Sequence, residues 1–309
     1  MPRAASSKWE GTKMAQCCPT TKIEKLLLST DGSEFGEGAI REAIKLAKTC
    51  SSKLLVISVV ETNPEYETIA PQLVEKAEKE TRKHLEAVKE RASKEGVDCE
   101  IIERQGEDPF KYIVEEAAKN QAGMIITGRR GRKGIKRLMM GSETARIIGH
   151  AACNILVVPR AANIEFKTIV AATDGSKYSE AAVQEAVSIA KRCGSNLIVI
   201  SVVPSETESP FDIVHSEMQK GLIAGKELGE AEKNVKKVKE LAIESGITAK
   251  GFVYAGRPCK AILEIAKQEK ADLIIVGSHG RTGIAKLLMG SVTERVIGLA
   301  GCAVLVVKA

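Results

Sequence analysis

Aromatic residues make up only 3% of this 309-residue chain. One tryptophan, four tyrosines and five phenylalanines offer no stacking platform of the kind that single-strand nucleic-acid binders use. Any core must therefore be built from Val, Ile, Leu and Ala, the mixture of strands covered by helices on both faces. No run approaches the ~18 to 20 continuous apolar residues of a membrane span, and the N-terminus lacks an apolar signal core, so no membrane partner and a cytoplasmic location are expected. Also missing are a G-x-x-x-x-G-K-[ST] loop, an early G-x-G-x-x-G, a G-x-S-x-G elbow and an H-E-x-x-H pair, which disfavours P-loop hydrolysis, dinucleotide chemistry and the common hydrolase designs. The eight cysteines form no C-x-x-C pair. Cys50 and Cys193 each close a helix, while Cys153 and Cys302 each precede a last strand; reduced thiols are expected, rather than zinc or a disulfide framework. The adjacent Cys17 and Cys18 are the exception, placed in a leader where they can oxidise between chains. Charge of one sign does not dominate either. The 46 basic and 40 acidic residues are interspersed, and a net charge of +6 does not imply a nucleic-acid partner.

What the chain does have is enough apolar material for two cores, 44% of its residues, and a repeat. Leu54-Leu55-Val56-Ile57-Ser58-Val59-Val60 returns as Leu197-Ile198-Val199-Ile200-Ser201-Val202-Val203, and Asp31-Gly32-Ser33 as Asp174-Gly175-Ser176, each 143 positions on. Gly128 then matches Gly277, and Cys153 matches Cys302, 149 positions on. The second copy has thus gained six residues, expected within 204–230, where Pro204, Pro210, Gly221, Gly225 and Gly229 gather. Short β-branched runs predict strands near 25–30, 54–60, 98–104, 123–127 and 154–158, and again near 167–173, 197–203, 249–254, 272–276 and 303–307. Between them, Ile40, Ala43, Ile44 and Ala47 recur at helical spacing, as do Val183, Ala186, Val187 and Ala190. Strands alternating with helices predict an α/β fold of two doubly wound parallel domains, at 22–160 and 161–309, behind a flexible leader at 1–21. Ligands of such sheets collect beyond the carboxyl ends of the strands.

There each copy carries the pattern G-x2-G-x9-G-S. It runs from Gly128 through Gly131 to Gly141-Ser142, and from Gly277 through Gly280 to Gly290-Ser291. Glycines let backbone approach a ligand closely, and the final Gly-Ser opens a helix whose first N–H groups suit phosphate oxygens. The cluster Arg129, Arg130, Arg132, Lys133, Lys136 and Arg137 has no interleaved aromatics and reads as solvated or phosphate-facing. His84, His150 and His215 have no counterparts in the other copy and read as core or solvent-facing; His279 is either a phosphate contact or a loop histidine without a role.

The glycine spacing, its strand context and the early Asp-Gly-Ser resemble the ATP-binding branch of the universal stress protein family, over essentially all of 22–309 and twice. The resemblance implies a five-stranded parallel sheet of order 3-2-1-4-5 in each half, with Asp31 and Asp174 facing the glycine loops. It implies ATP, or ADP or AMP, with Mg2+. Asp31 and Asp174 would lie near ribose, phosphates or metal, and Val59 and Val202 would pack on adenine. Gly128, Gly131, Gly141 and Ser142, and Gly277, Gly280, Gly290 and Ser291, would cradle the phosphates. The second copy keeps the family-like Ser278-His279 where the first has Arg129-Arg130, two cations that either clamp phosphate or block the first pocket. The expected function is a nucleotide-binding stress regulator rather than an enzyme, acting on an unnamed client. Its alternatives are a slow ATPase or nucleotide-dependent transferase, and an interaction module with vestigial pockets. The apolar last strands at 154–158 and 303–307 are expected to face each other in a pseudo-twofold pairing within one chain, with homodimerisation secondary.

Overall fold

The apolar runs fold as strands, and the stripes between them as helices, in the computed structural model, which describes residues 18–20, 23–129, 140–204, 217–281 and 289–309. In the first half β1 (Lys25–Ser29) leads through a 3-10 turn to α1 (Glu37–Cys50), then β2 (Lys53–Glu61), α2 (Pro64–Ile69), α3 (Pro71–Lys94), β3 (Cys99–Gly106), α4 (Pro109–Lys119), β4 (Met124–Gly128), α5 (Ser142–His150) and β5 (Asn154–Val158). The second half repeats this as β6 (Thr168–Ala172), α6 (Lys177–Cys193), β7 (Asn196–Val203), α7 (Glu217–Glu244), β8 (Ala249–Ala255), α8 (Pro258–Gln268), β9 (Leu273–Gly277), α9 (Ser291–Leu299) and β10 (Ala303–Val307). Pro109 and Pro258 stand in the first turns of α4 and α8, where a missing N–H costs nothing.

All strands within a half run parallel, in the order 3-2-1-4-5, and the halves join into one ten-stranded sheet, β3-β2-β1-β4-β5-β10-β9-β6-β7-β8. The seam is an antiparallel pair with Leu156 opposite Leu305, so the two apolar strands expected to seek each other do so. Both faces of the sheet are apolar because alternate residues of each strand meet helices on opposite sides. Leu26, Leu28, Leu54 and Val56 pack under Ile40 and Ala43 of α1 and Leu85 and Val88 of α3. Leu27, Leu55 and Ile125 meet Phe110 of α4 and Ile147 of α5 on the other. Each such side chain contributes about 1.5–3 kcal/mol by leaving water.

Strand register keeps the insertion between β7 and β8 and corrects its size. Leu54 pairs with Cys99 while its counterpart Leu197 pairs with Ala249, so the offset is already 150 at the third strand. Seven residues enter before β8. One is then removed between the third strand and the next helix, where Gly106-Glu107-Asp108-Pro109 becomes Gly256-Arg257-Pro258.

The linker between the halves is fastened at both ends. On the first half, the 2%-exposed Glu42 accepts from the N–H of Ile164 (3.2 Å), Lys45 Nζ donates to the Ile164 carbonyl (2.5 Å), and Arg41 donates to the carbonyl of Ala162. On the second, Asp272 accepts from the N–H groups of Phe166, Lys167 and Thr168 at 2.8–3.2 Å. These contacts satisfy backbone donors and acceptors that the turn would otherwise leave unpaired.

The cysteine expectation is overturned in part. Cys18 is bonded to Cys50 within the chain, across a Cα–Cα distance of 4.8 Å, and Cys193 is also disulfide-bonded. Cys99, Cys153, Cys259 and Cys302 are free thiols, as expected for buried or half-buried positions. Cys17 lies outside the described residues. Among the described residues no helix is long and apolar enough to cross a membrane.

Candidate functional site

β1 lies beside β4, and β6 beside β9, so the loop after each first strand leaves the sheet next to the glycine segment after the fourth. This adjacency is where the winding reverses. In the second half the two loops are hydrogen-bonded to each other through Asp174. Its Oδ1 accepts from the N–H of Ser176 (3.0 Å) and its Oδ2 from the N–H of Arg281 (3.0 Å). Gly175 takes φ +79°, a left-handed conformation that glycine adopts without strain, and a Cβ there would strike Asn234. A Cβ on Gly280 would sit 2.7 Å from Asp174 Oδ2. Glycine at 280 is therefore what lets the loop close on the carboxylate.

Gly290 caps α9 with no side chain, and its N–H is held by the Ser278 carbonyl (2.9 Å). The N-cap residue thus gives the first turn of α9 no side-chain cap. Thr293 Oγ1 donates to the Gly277 carbonyl (2.8 Å) and locks the helix to the end of β9. Beside the loop, His279 Nδ1 lies 3.1 Å from Ser278 Oγ, and its ring stands 5.1 Å from that of Tyr178.

The first half repeats this frame. Asp31 Oδ1 accepts from the N–H of Ser33 (3.0 Å), Gly141 N–H donates to the Arg129 carbonyl (2.9 Å), and Thr144 Oγ1 donates to the Gly128 carbonyl (3.1 Å). Gly131, Arg130, Arg132, Lys133, Lys136 and Arg137 lie outside the described residues. Two differences separate the halves. Ser176 Oγ accepts from the Ser179 N–H and caps α6, whereas the buried Ser33 Oγ has no hydrogen-bond partner among the described residues. Arg129, at the position of Ser278, sends Nη1 across the seam to the carbonyl of Ala300 (2.6 Å), the C-cap of α9. A cation at a helix C-terminus complements the helix dipole there.

Val59 and Val202 lie at the carboxyl ends of β2 and β7, on the face covered by α4 and α5 and by α8 and α9. Gly277 has a packing reason of its own, since a Cβ there would come within 2.6 Å of the Tyr178 backbone. The two threonines were not singled out from the sequence, although the doubled G-S-x-T, Gly141-Ser142-Glu143-Thr144 and Gly290-Ser291-Val292-Thr293, carries them in plain view. His84 donates to or accepts from Thr30 Oγ1 through Nε2 (3.0 Å) below the Asp31 loop. With the 150-residue offset its counterpart is Asn234, a pairing that identity matching cannot find. Among the described residues no cluster of His, Cys, Asp or Glu is arranged to hold a metal ion.

Burial by itself would raise the Asp174 pKa, but hydrogen bonds from Ser176, Ser179 and the Arg281 N–H outweigh it and hold the carboxyl below its usual value. The stability this brings is complete above the unfolded-chain pKa of about 3.9 and is lost as pH falls through the lower folded value. Asp174→Asn is therefore expected to lower the melting temperature at pH 6, with the gap to the parent protein narrowing below about pH 4. Melting curves from pH 3 to 7 check this; a gap that ignores pH means the charge of Asp174 contributes nothing.

The universal stress protein family model matches residues 22–159 and again 165–308. A universal stress protein of Methanocaldococcus jannaschii is 41% identical over 143 residues, covering 46% of this chain and 82% of that protein. One of Mycolicibacterium smegmatis is 26% identical over 297 residues, covering 92% of this chain and 96% of its own. The crystal structure of a universal stress protein from Archaeoglobus fulgidus superposes with a TM-score of 0.69 at 20% identity, covering 93% of this chain and 99% of that one, a likeness of fold. With two family matches filling one continuous sheet, the chain belongs to the universal stress protein family as a tandem of two such domains.

Proposed function

We propose that the protein is an adenine-nucleotide-binding regulator that holds ATP in its second half and does not turn it over at enzymatic rates. The observation that carries this is the pairing of an α9 N-terminus without a side-chain cap and a glycine loop anchored on Asp174. Backbone donors fixed in advance favour an anion there without a reorganisation cost. Gly280, Gly290 and Ser291 would meet phosphates, Val202 would pack on the base, and Asp174 would stand near ribose or a phosphate-bound Mg2+. ATP bound in this way supplies a charge state that differs from ADP or AMP, which is what a regulator reads out. The first half has the same frame but a bulky cation, Arg129, where the second has Ser278, and is the weaker site in this proposal.

A ligand bound only by the folded chain stabilises it by RT ln(1 + [L]/Kd), about 2.7 kcal/mol at a hundredfold excess over Kd. Thermal melting is therefore expected to shift upward with millimolar ATP and Mg2+, and nucleotide recovered after incubation is expected to remain ATP. Unchanged melting with ATP, with GTP and AMP as controls, contradicts nucleotide binding. Recovery of ADP at a rate of roughly 1–1,000 per second would instead make the protein an enzyme.

A further inference from the structure

The α1 and α6 helices end at equivalent positions, Cys50 and Cys193, 143 residues apart, and both of these cysteines are disulfide-bonded. Cys50 is joined to Cys18 of the leader. The next leader residue, Pro19, is buried, and its carbonyl accepts from Arg192 Nη1 (3.2 Å), the residue preceding Cys193. Thr20, 7% exposed, places Oγ1 3.9 Å from Cys50 Sγ. Three consecutive residues of the leader thus touch the far end of a helix in each half. The same helices begin just after Asp31-Gly32-Ser33 and Asp174-Gly175-Ser176, the loops of the two candidate pockets.

The cysteines divide by chemistry. Burial pushes the Cys99 and Cys302 thiols up to about 11 and raises those of Cys153 and Cys259, so these four stay protonated and unreactive at neutral pH. Cys18, Cys50 and Cys193 are half-buried like Cys99, Cys153 and Cys302, within reach of a small thiol or disulfide in solution, and are set apart by being disulfide-bonded.

We propose that Cys18 and Cys50 form a thiol–disulfide modification site, which closes residues 18–20 as a strap over the ends of α1 and α6 when oxidised and releases them when reduced. The oxidant is a low-molecular-weight disulfide. A Cys50 thiolate attacks one of its sulfurs and expels a thiolate; the Cys18 thiolate then attacks the mixed disulfide and expels the second. Two protein thiols lose two protons and two electrons, one protein S–S bond forms, and one small disulfide becomes two small thiols. Reduction by a dithiol runs the same steps backwards.

The full chain is to be equilibrated with glutathione disulfide or with dithiothreitol and mapped as non-reduced peptides, followed by thermal melting and by hydrogen exchange at residues 18, 20, 23 and 24. The oxidised chain is expected to yield a Cys18–Cys50 linked peptide. It is expected to melt at least about 3 °C above the reduced chain and to protect the leader amides. Cys50→Ser with Cys193→Ser should melt like the reduced protein in both buffers, and Cys50→Ala with Cys193→Ala serves if serine disturbs the helix ends. Free Cys18 and Cys50 after oxidation overturn the proposal. So does linkage only between chains, or a parent protein whose melting and leader protection ignore reduction.

Discussion

Gly290→Val combined with Ser291→Ala is expected to weaken ATP binding at least ~100-fold, the equivalent of two lost charge-assisted hydrogen bonds of about 1.5 kcal/mol each. A Cβ added at 290 would lie 3.3 Å from His279 Cα and 3.5 Å from the Gly280 nitrogen, so valine fills the approach to the α9 N-terminus. The corresponding pair in the first half, Gly141→Val with Ser142→Ala, is expected to remove less, because Arg129 already distinguishes that loop. Titration calorimetry of both variants decides the matter, with melting of the nucleotide-free proteins as the check on folding. Equal losses would mean that the arginine leaves the first pocket intact.

Gly277→Ala is expected to destabilise the protein by about 3 kcal/mol, or roughly 6 °C in melting temperature, with or without nucleotide. The added methyl would meet the carbonyl carbon and oxygen of Tyr178 at 2.6 and 2.7 Å, and these are backbone atoms at the start of α6 that cannot swing aside. Gly301→Ala is the matched control, since nothing lies within 4 Å of its Cβ position; it should stay within about 0.5 kcal/mol. If both variants melt alike, Gly277 was not retained for close packing. If Gly277→Ala is stable but binds no ATP, the glycine belongs to the ligand alone.

Much of this architecture was legible because buried parallel strands leave continuous apolar runs and helices leave 3.6-residue stripes, and the repeat supplied each pattern twice. Strand ends fell within two residues of expectation, and the seam between 154–158 and 303–307 follows from two uncharged edges. The Asp174 contact to the glycine loop was legible only through the family resemblance, because a sheet order cannot be read from spacing. Other features escaped for physical reasons. Whether Cys18 meets Cys50 depends on a leader with no periodic pattern, folding back to within bonding distance of a helix end. The Arg129 contact to Ala300 joins residues 171 positions apart, and nothing local marks it. The compensating insertion and deletion cancelled to a net of six, which hid both the true register and the correspondence of His84 with Asn234.

The seam between β5 and β10 also bears on dilution. Two separate single-domain chains that paired through these strands would come apart as their concentration fell, since such an equilibrium follows mass action. Here the fastened linker makes the same contact unimolecular, so it persists at one molecule per cell as well as at a thousand. A symmetric dimer must also carry any substitution twice, whereas a duplicated chain can change one side of the contact and leave the other. Arg129, where the second half has Ser278, is such a one-sided difference, and it is open only to a protein whose two halves are encoded separately.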